Sequence, residues 1–337
     1  MKGWRISEFG IDNLEAFDAP VPQAGPGQVV VRVHACSLNY RDLMMVKGHY
    51  NPRMELPRIP CSDGAGEIVE AGEGVADFKA GDRVAGIFMQ RWLDGKPSLA
   101  RQKAALGGDV EGMLAEYVVL AATGVVRFPE HLSFEEAATL PCAGVTAWNA
   151  VVTRGGVAPG DTVVIQGTGG VSVFALQFAK MKGARVLGTS SSNEKLERAK
   201  VLGLDAGFNY RDDPEWADWV LAQTDREGAE LIVEVGGTGT FAQSLKAVRV
   251  GGTIAQIGVL SQSQEPLQVA PILWKQAAVQ GIFVGSRENF RAMNRAISLH
   301  KLKPVVDAVF DFNEARAAFG KMEGASHFGK IVIRVGS

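Results

Sequence analysis

The chain has 337 residues, 46% of them hydrophobic and 21% charged. That composition excludes a disordered, collagen-like or coiled-coil chain, and the length predicts about two domains. With 35 basic against 37 acidic residues the net charge is -2, so neither nucleic acid nor an anionic membrane surface is an expected partner.

Cys36, Cys61 and Cys142 are too few and too scattered for a disulfide framework, which points to a reducing compartment. The chain opens on Met1-Lys2-Gly3-Trp4-Arg5 without an apolar leader, and no window reaches ~18 consecutive apolar residues. A cytoplasmic location is expected.

The N-terminal part reads as short strands punctuated by Gly and Pro. Segments 29–35, 66–70, 82–88 and 116–120 carry β-branched residues in partial alternation. Residues 90–112 form a long mixed segment, expected as an extended loop. Ser133 followed by Glu136 is a capping box that opens a helix. From Thr162 onward strands and helices alternate. Strands are expected at 162–166, 185–189, 206–210, 231–235, 253–258 and 279–284. Helices are expected at 173–182, 194–202, 214–223 and 241–248. This alternation implies a parallel sheet covered on both faces. The tail adds helices near 288–300 and 313–322 and a last strand at 330–335. These are too few elements to fold alone, so the tail is expected to return to the first domain.

The strongest local signal is Gly167-Thr168-Gly169-Gly170-Val171-Ser172, which follows a strand and opens a helix. Gly167 permits a tight turn and Gly169 lets the backbone approach a pyrophosphate. The helix N-terminus offers unpaired N–H groups. Ser172 stands at the third glycine of the fingerprint. The competing account is a turn that merely needs glycine, which the run of βα units disfavours. About 20 residues on, an NAD site usually carries an acid for the ribose 2′-hydroxyl. Here the run is Thr189-Ser190-Ser191-Ser192-Asn193-Glu194-Lys195. Ser190, Ser191 and Lys195 suit a 2′-phosphate, so NADP(H) is favoured over NAD(H). Alternatively Ser192 or Asn193 only caps a helix, Lys195 is a solvated charge, or Glu194 serves the ribose.

The order of parts resembles the medium-chain dehydrogenase/reductase superfamily along essentially the whole chain. The markers are Ser62-Asp63-Gly64-Ala65-Gly66-Glu67-Ile68-Val69, Gly81-Asp82-Arg83-Val84, residues 140–148, the Gly167 loop and Phe328-Gly329-Lys330-Ile331-Val332. The resemblance implies an α/β fold with a GroES-like β-barrel catalytic domain (1–126), a Rossmann doubly wound parallel-sheet domain (127–287) and a C-terminal return segment (288–337). It also implies coenzyme contacts at Thr146, Gly167, Thr168, Gly169, Gly170, Val171, Tyr210, Gly236, Gly258, Val259, Phe283, Val284, Gly329 and Lys330.

Zinc-dependent members carry Cys, a His-Glu pair and Cys where this chain has Asn39, Ser62-Asp63 and Cys142. One thiol with an amide and a hydroxyl is a poor zinc site, so no metal is expected. The chain therefore looks like the zinc-independent quinone oxidoreductase-like branch. Its members pass hydride from a nicotinamide coenzyme to a quinone, enal or enone. Asn39, Tyr40 and Ser62 become the candidates for polarising the small-molecule acceptor. Structural roles compete: Asn39 as a helix cap, Tyr40 in the barrel core, and Arg41–Asp42 as a supporting ion pair. A metal-free alcohol dehydrogenase or carbonyl reductase, and a coenzyme-binding protein without turnover, are the alternative readings. The strand near 278–285 should lie at a sheet edge, where a homodimer would form.

Overall fold

The computed structural model describes residues 1–264 and 266–336. Its strands, in chain order, are Lys2–Ile6 (β1), Leu14–Asp18 (β2), Gln28–Leu38 (β3), Asp63–Ala71 (β4), Arg83–Gly86 (β5), Tyr117–Ala121 (β6), Val125–Arg127 (β7), Thr162–Gln166 (β8), Arg185–Ser190 (β9), Ala206–Asn209 (β10), Ala229–Glu234 (β11), Val248–Gln256 (β12), Ala278–Gly281 (β13), Val306–Asp311 (β14) and Lys330–Arg334 (β15). Packing divides the chain into two units. One is Met1–Val145 together with the segment from Gly285 to the C-terminal end; the other is Thr146–Val284.

In the first unit the sheet runs β14-β15-β3-β4-β5-β7, with β6 also paired to β3, and β1-β2 form a separate ribbon. The length of β3 explains its central role. Val29, Val31 and Val33 face the core, Cys36 and Leu38 continue it, and Val30 and Ala35 are buried as well. Short β-branched runs on a half-buried pleated surface favour this arrangement. The tail does return to this unit. β15 pairs antiparallel with β3, setting Ile331 opposite Leu38 and Ile333 opposite Cys36. Helix Ala315–Glu323 adds Ala315, Ala318, Phe319 and Met322 to the same core.

The units meet in sequence at Val145 and Thr146, later than the expected position after residue 126. The reason is helix Phe134–Ala138, which packs on β3, β4 and β15. Its predicted capping box is present: Ser133 Oγ accepts from Glu136 N at 3.2 Å, and Ser133 N donates to Glu136 Oε2 at 2.9 Å.

The second unit is a six-stranded parallel sheet ordered β10-β9-β8-β11-β12-β13. Central strands read as unbroken apolar runs because both faces are covered. Val163, Val164 and Ile165 on β8, and Leu231, Ile232 and Val233 on β11, are all buried. The crossover from β8 out to β10 and back across to β11 creates a topological switch point beside β8, where open α/β sheets bind ligands. β13 is an edge strand, as expected, but it ends at Gly281 instead of continuing to 284. Extended pairing is not available at Val284, whose φ is +57°, a left-handed conformation that β-branched residues rarely adopt.

Candidate functional site

In the second unit the candidate coenzyme residues gather at the carboxyl edge of the parallel sheet. β8 leads into the glycine loop, β9 ends at Ser190, and β11, β12 and β13 lead to Gly236, Gly258–Val259 and Phe283–Val284. Gly167 has φ +68°, so the turn itself calls for glycine. Gly169 is different: its backbone is extended (φ -76°, ψ -179°), a conformation open to any residue. A Cβ added at either position meets nothing within 4 Å. Open space at Gly169 has no packing purpose, and it is the cradle that a pyrophosphate needs.

Helix Gly170–Met181 begins three residues before the expected start, directly at the loop. Its N-cap is Gly169, with no side chain to satisfy the first-turn N–H groups. Those groups, with the positive end of the helix dipole, are an anion site. Ser172 is buried and donates to Gln166 O at 2.6 Å, tying the helix to the end of β8. The third glycine of the fingerprint is thus replaced by a residue that fixes the turn. A nicotinamide dinucleotide fits this loop.

Behind the loop lies a network that sequence reasoning missed. Gln166 Nε2 donates to Glu234 Oε2 at 2.7 Å and to Ser244 Oγ at 2.8 Å. Glu234 Oε1 accepts from Gly236 N at 2.7 Å, Gly237 N at 2.9 Å and Thr240 Oγ1 at 2.5 Å, and Ser244 Oγ donates to Glu234 Oε2. Five donors allow a carboxylate to remain buried without a cation. The visible signal was a polar residue ending each of two adjacent apolar strands. Gly236 is expected to contact a coenzyme; its N–H is bonded inside this network.

At the end of β9, Ser190 is buried and Ser190 Oγ accepts from Ser192 N at 3.3 Å. Ser192 caps helix Asn193–Val201 by accepting from Lys195 N at 3.3 Å. Tyr210 N donates to Ser190 O at 3.1 Å, and the Tyr210 ring is exposed. The structure therefore brings Ser190, Ser191, Lys195 and Tyr210 to one strand end, while Ser192 takes the capping role. Thr146 is buried, and Val284 O accepts from Asn149 Nδ2 at 2.7 Å. Val259 is exposed.

The first unit holds a buried polar cluster. Asn39 closes β3 and caps helix Tyr40–Val46 in a capping box with Asp42. Asn39 Nδ2 donates to Ser62 Oγ at 3.3 Å, and Ser62 Oγ donates to Asp63 Oδ1 at 2.7 Å. Cys142 N donates to Asp63 Oδ2 at 3.0 Å. Asp42 is fully buried and accepts from Asn39 N, Ser62 N and Arg41 Nη1. The expected Arg41–Asp42 ion pair is therefore present, at 3.0 Å. Lys330, which follows Gly329 (φ +83°), is 3% exposed. Lys330 Nζ donates to Asn39 Oδ1 at 2.5 Å and to Leu38 O at 2.6 Å. Tyr40 is the accessible member of the candidate set, 46% exposed, and does not pack in the barrel core.

Burial pushes the Asp63 carboxyl up to about 6; the Lys330 charge opposes this, Asp42 adds to it, and hydrogen bonds from Asn39 and Ser62 lower it. Burial likewise raises the Cys142 thiol far above its usual range, with Asp63 adding to the shift. A protonated thiol, a hydroxyl and an amide oxygen already bonded to an ammonium do not fit zinc. Among the described residues, no group of three His, Cys, Asp or Glu side chains is placed to hold a metal ion.

Comparison with known proteins matches residues 25–130 to the alcohol dehydrogenase GroES-like domain and residues 170–298 to the zinc-binding dehydrogenase family. The second match excludes Asn39, Ser62 and Cys142. A zinc-type alcohol dehydrogenase-like protein of Schizosaccharomyces pombe is 44% identical over 333 residues, spanning 97% of this chain and 96% of that protein. An acryloyl-coenzyme A reductase of Metallosphaera sedula is 28% identical over 320 residues, 93% of each chain. Among solved structures, an NAD-dependent alcohol dehydrogenase superposes with TM-score 0.92 at 36% identity, covering 100% of both chains. A cobalt- and zinc-bound thermostable alcohol dehydrogenase from Pyrobaculum aerophilum gives TM-score 0.86 at 28% identity, covering 99% of both. The quinone oxidoreductase of Coxiella burnetii gives 0.81 at 28%, covering 100% of this chain and 99% of that one. The chain belongs to the medium-chain dehydrogenase/reductase superfamily, a class of nicotinamide-dependent oxidoreductases.

Gly169→Val should leave the fold intact, because the backbone there is extended and the space open. Dinucleotide affinity, read by fluorescence titration, should fall at least ~50-fold, about 2.3 kcal/mol. Unchanged affinity would refute the loop assignment. Asp63 yields a pH prediction. The folded chain binds this proton more tightly than the unfolded chain, whose Asp titrates near ~3.9. Stability from Asp63 is therefore full below ~pH 4 and is lost as pH rises through about 6. Relative to wild type, Asp63→Asn should gain roughly 2 kcal/mol of unfolding free energy between about pH 4 and 7. A flat difference in urea unfolding across that range would contradict a buried carboxyl titrating there.

Proposed function

We propose that this chain is a zinc-independent, NADPH-preferring reductase of electron-poor acceptors: enals, enones or quinones. The observation that carries this reading is the Asn39–Ser62–Asp63–Lys330 cluster. An amide and a hydroxyl stand at positions where zinc-dependent members have metal ligands, and the Lys330 ammonium is bonded to that amide. The acryloyl-coenzyme A reductase and quinone oxidoreductase relatives support a conjugated acceptor.

Bound coenzyme supplies the hydride. The N–H groups after Gly167 hold its pyrophosphate, and Ser190, Ser191, Lys195 and Tyr210 hold the 2′-phosphate. Tyr40 O–H and the Asn39 amide bind the acceptor oxygen and stabilise the negative charge that develops there. An enone accepts hydride at its β-carbon, and a proton from solvent adds at the α-carbon. An electron-poor alkene accepts hydride when hydrogen bonds stabilise the charge developing on its oxygen, so no Lewis acid is required. Oxidising a plain alcohol requires removing a very weakly acidic hydroxyl proton, which metal-dependent sites achieve by Lewis acidity.

A homodimer through β13 is part of the proposal. Val279 is exposed on this edge strand, and Val269, Leu273 and Trp274 are exposed in the segment leading to it, the last two at 75% and 74%. An uncovered apolar edge is an association surface.

The decisive assay follows coenzyme oxidation with a quinone, an enal, an enone and a plain ketone, with and without chelator, alongside elemental analysis. Activity on the conjugated acceptors, insensitive to chelator and without stoichiometric zinc, is expected. Chelator-sensitive turnover overturns the zinc-free reading, and reduction of the ketone alone favours a carbonyl reductase. In the same assay Lys195→Ala should raise KM for NADPH by about tenfold, or 1.4 kcal/mol, and hardly affect NADH. Equal losses would undo the phosphate argument. For the dimer, sedimentation velocity should give two-chain particles for wild type and single chains for Leu273→Glu/Trp274→Glu. A wild-type monomer would rule this interface out.

A further inference from the structure

Family resemblance implies that Lys330 contacts the coenzyme; within its own unit the ammonium has two further partners. Lys330 Nζ is bonded to Leu38 O and Asn39 Oδ1, the last backbone carbonyl of β3 and the cap of the helix that begins at Tyr40. These bonds grip the turn that presents Tyr40. That helix has seven residues, too short to hold its own direction without tertiary anchors.

The position is costly. A buried ammonium loses hydration, and a cation at a helix N-terminus opposes the helix dipole. Nor does Lys330 have a carboxylate within ion-pair distance among the described residues. Asp42 offsets the dipole from the first turn but is paired to Arg41. A stabilising clamp alone would be better made by a neutral donor. What a lysine adds is charge beside the Asn39 amide. By drawing on Asn39 Oδ1, it makes the Nδ2 hydrogens stronger donors, since linked hydrogen bonds polarise one another.

We propose that Lys330 is a positioning residue of the acceptor site. Its ammonium supplies positive charge among the residues at the family's metal-ligand positions, polarises the Asn39 amide and fixes the turn that presents Tyr40. This inference rests on the reductase reading. It adds that catalysis depends on an ammonium carried by the returning C-terminal strand, not on Asn39 and Tyr40 alone.

The test compares wild type, Lys330→Met and Lys330→Arg, with Asn39→Ala as a reference for loss of the amide. Three quantities are read: NADPH affinity by fluorescence, kcat and KM for the best acceptor, and the Asp63 carboxyl titration by 13C NMR. Lys330→Met should keep NADPH affinity within twofold and lower kcat at least 30-fold. It should also raise the Asp63 midpoint, because the opposing charge is gone. Lys330→Arg should recover part of kcat and restore the Asp63 midpoint. NADPH binding weakened tenfold or more in Lys330→Met would return the residue to the coenzyme and overturn the proposal. So would unchanged kcat, or an Asp63 midpoint that does not move. If wild type reduces no acceptor, the reductase reading falls and the kinetic role falls with it. NADPH affinity and the carboxyl titration still decide whether the ammonium acts on the cluster or on the coenzyme.

Discussion

The antiparallel pairing of β15 with β3 is the constraint on which the first unit turns. It joins residues nearly three hundred positions apart in sequence, and its register sets Ile331 opposite Leu38. One residue earlier, Lys330 is thereby delivered to the end of β3, where Asn39 closes the strand. A slip of one residue would turn the lysine to the other face of the sheet. The apolar face of β15, with Ile331 and Ile333 in the core, holds that register. Core packing thus sets the position of a buried charge, and the charge in turn shapes a candidate active site.

The second unit solves a different problem, with a buried carboxylate held by neutral donors. The loop after β8 must stay open for a large anionic ligand, so it cannot be braced by side chains on its ligand side. Bracing comes from beneath. Gln166 and Glu234 are adjacent because β8 and β11 pair in parallel, Val233 against Ile165. Through Glu234 the network reaches the backbone of Gly236 and Gly237 and the hydroxyls of Thr240 and Ser244. Ser172 completes the brace from the helix. A buried carboxylate with five donors is rigid because losing any one leaves an unsatisfied charge. Rigidity there keeps the loop organised before a ligand arrives.

What the sequence disclosed depended on the range of the interaction concerned. The glycine loop was legible because a strand, a turn and a helix start are neighbours in the chain. The same holds for the capping boxes at Ser133 and Asn39, each closed within three residues. Lys330 was legible as part of a family marker, yet its partners were not, since they follow from a long-range register. The Gln166–Glu234 pair was missed for the same reason, although two polar residues ending adjacent apolar strands were visible. The end of β13 was misjudged because an apolar, β-branched Val284 reads as strand while its backbone is left-handed. Local composition carries no sign of a φ imposed by packing.

The polar cluster also sets its own charges against one another. Asp42 is paired to Arg41, and Asp63 lies in the field of Lys330. Two buried carboxyls thus face two basic side chains. Replacing Lys330 by a divalent ion would add charge to a site whose thiol is held protonated and whose amide oxygen is a weak ligand. Burial that raises the Cys142 thiol also makes metal binding harder, because the ligand must first lose its proton. An ammonium needs no deprotonation and is satisfied by carbonyl oxygens, which are what Leu38 and Asn39 offer. On this argument the change of ligands at Asn39 and Ser62 and the presence of Lys330 are one change. Of the donors at these positions only the Cys142 thiol remains, and the acceptors at Leu38 and Asn39 suit a cation held by hydrogen bonds. Such a cation can polarise a neighbouring amide, but it cannot bind an alkoxide as a Lewis acid does. That difference is what the proposed preference for acceptors already poor in electrons rests on.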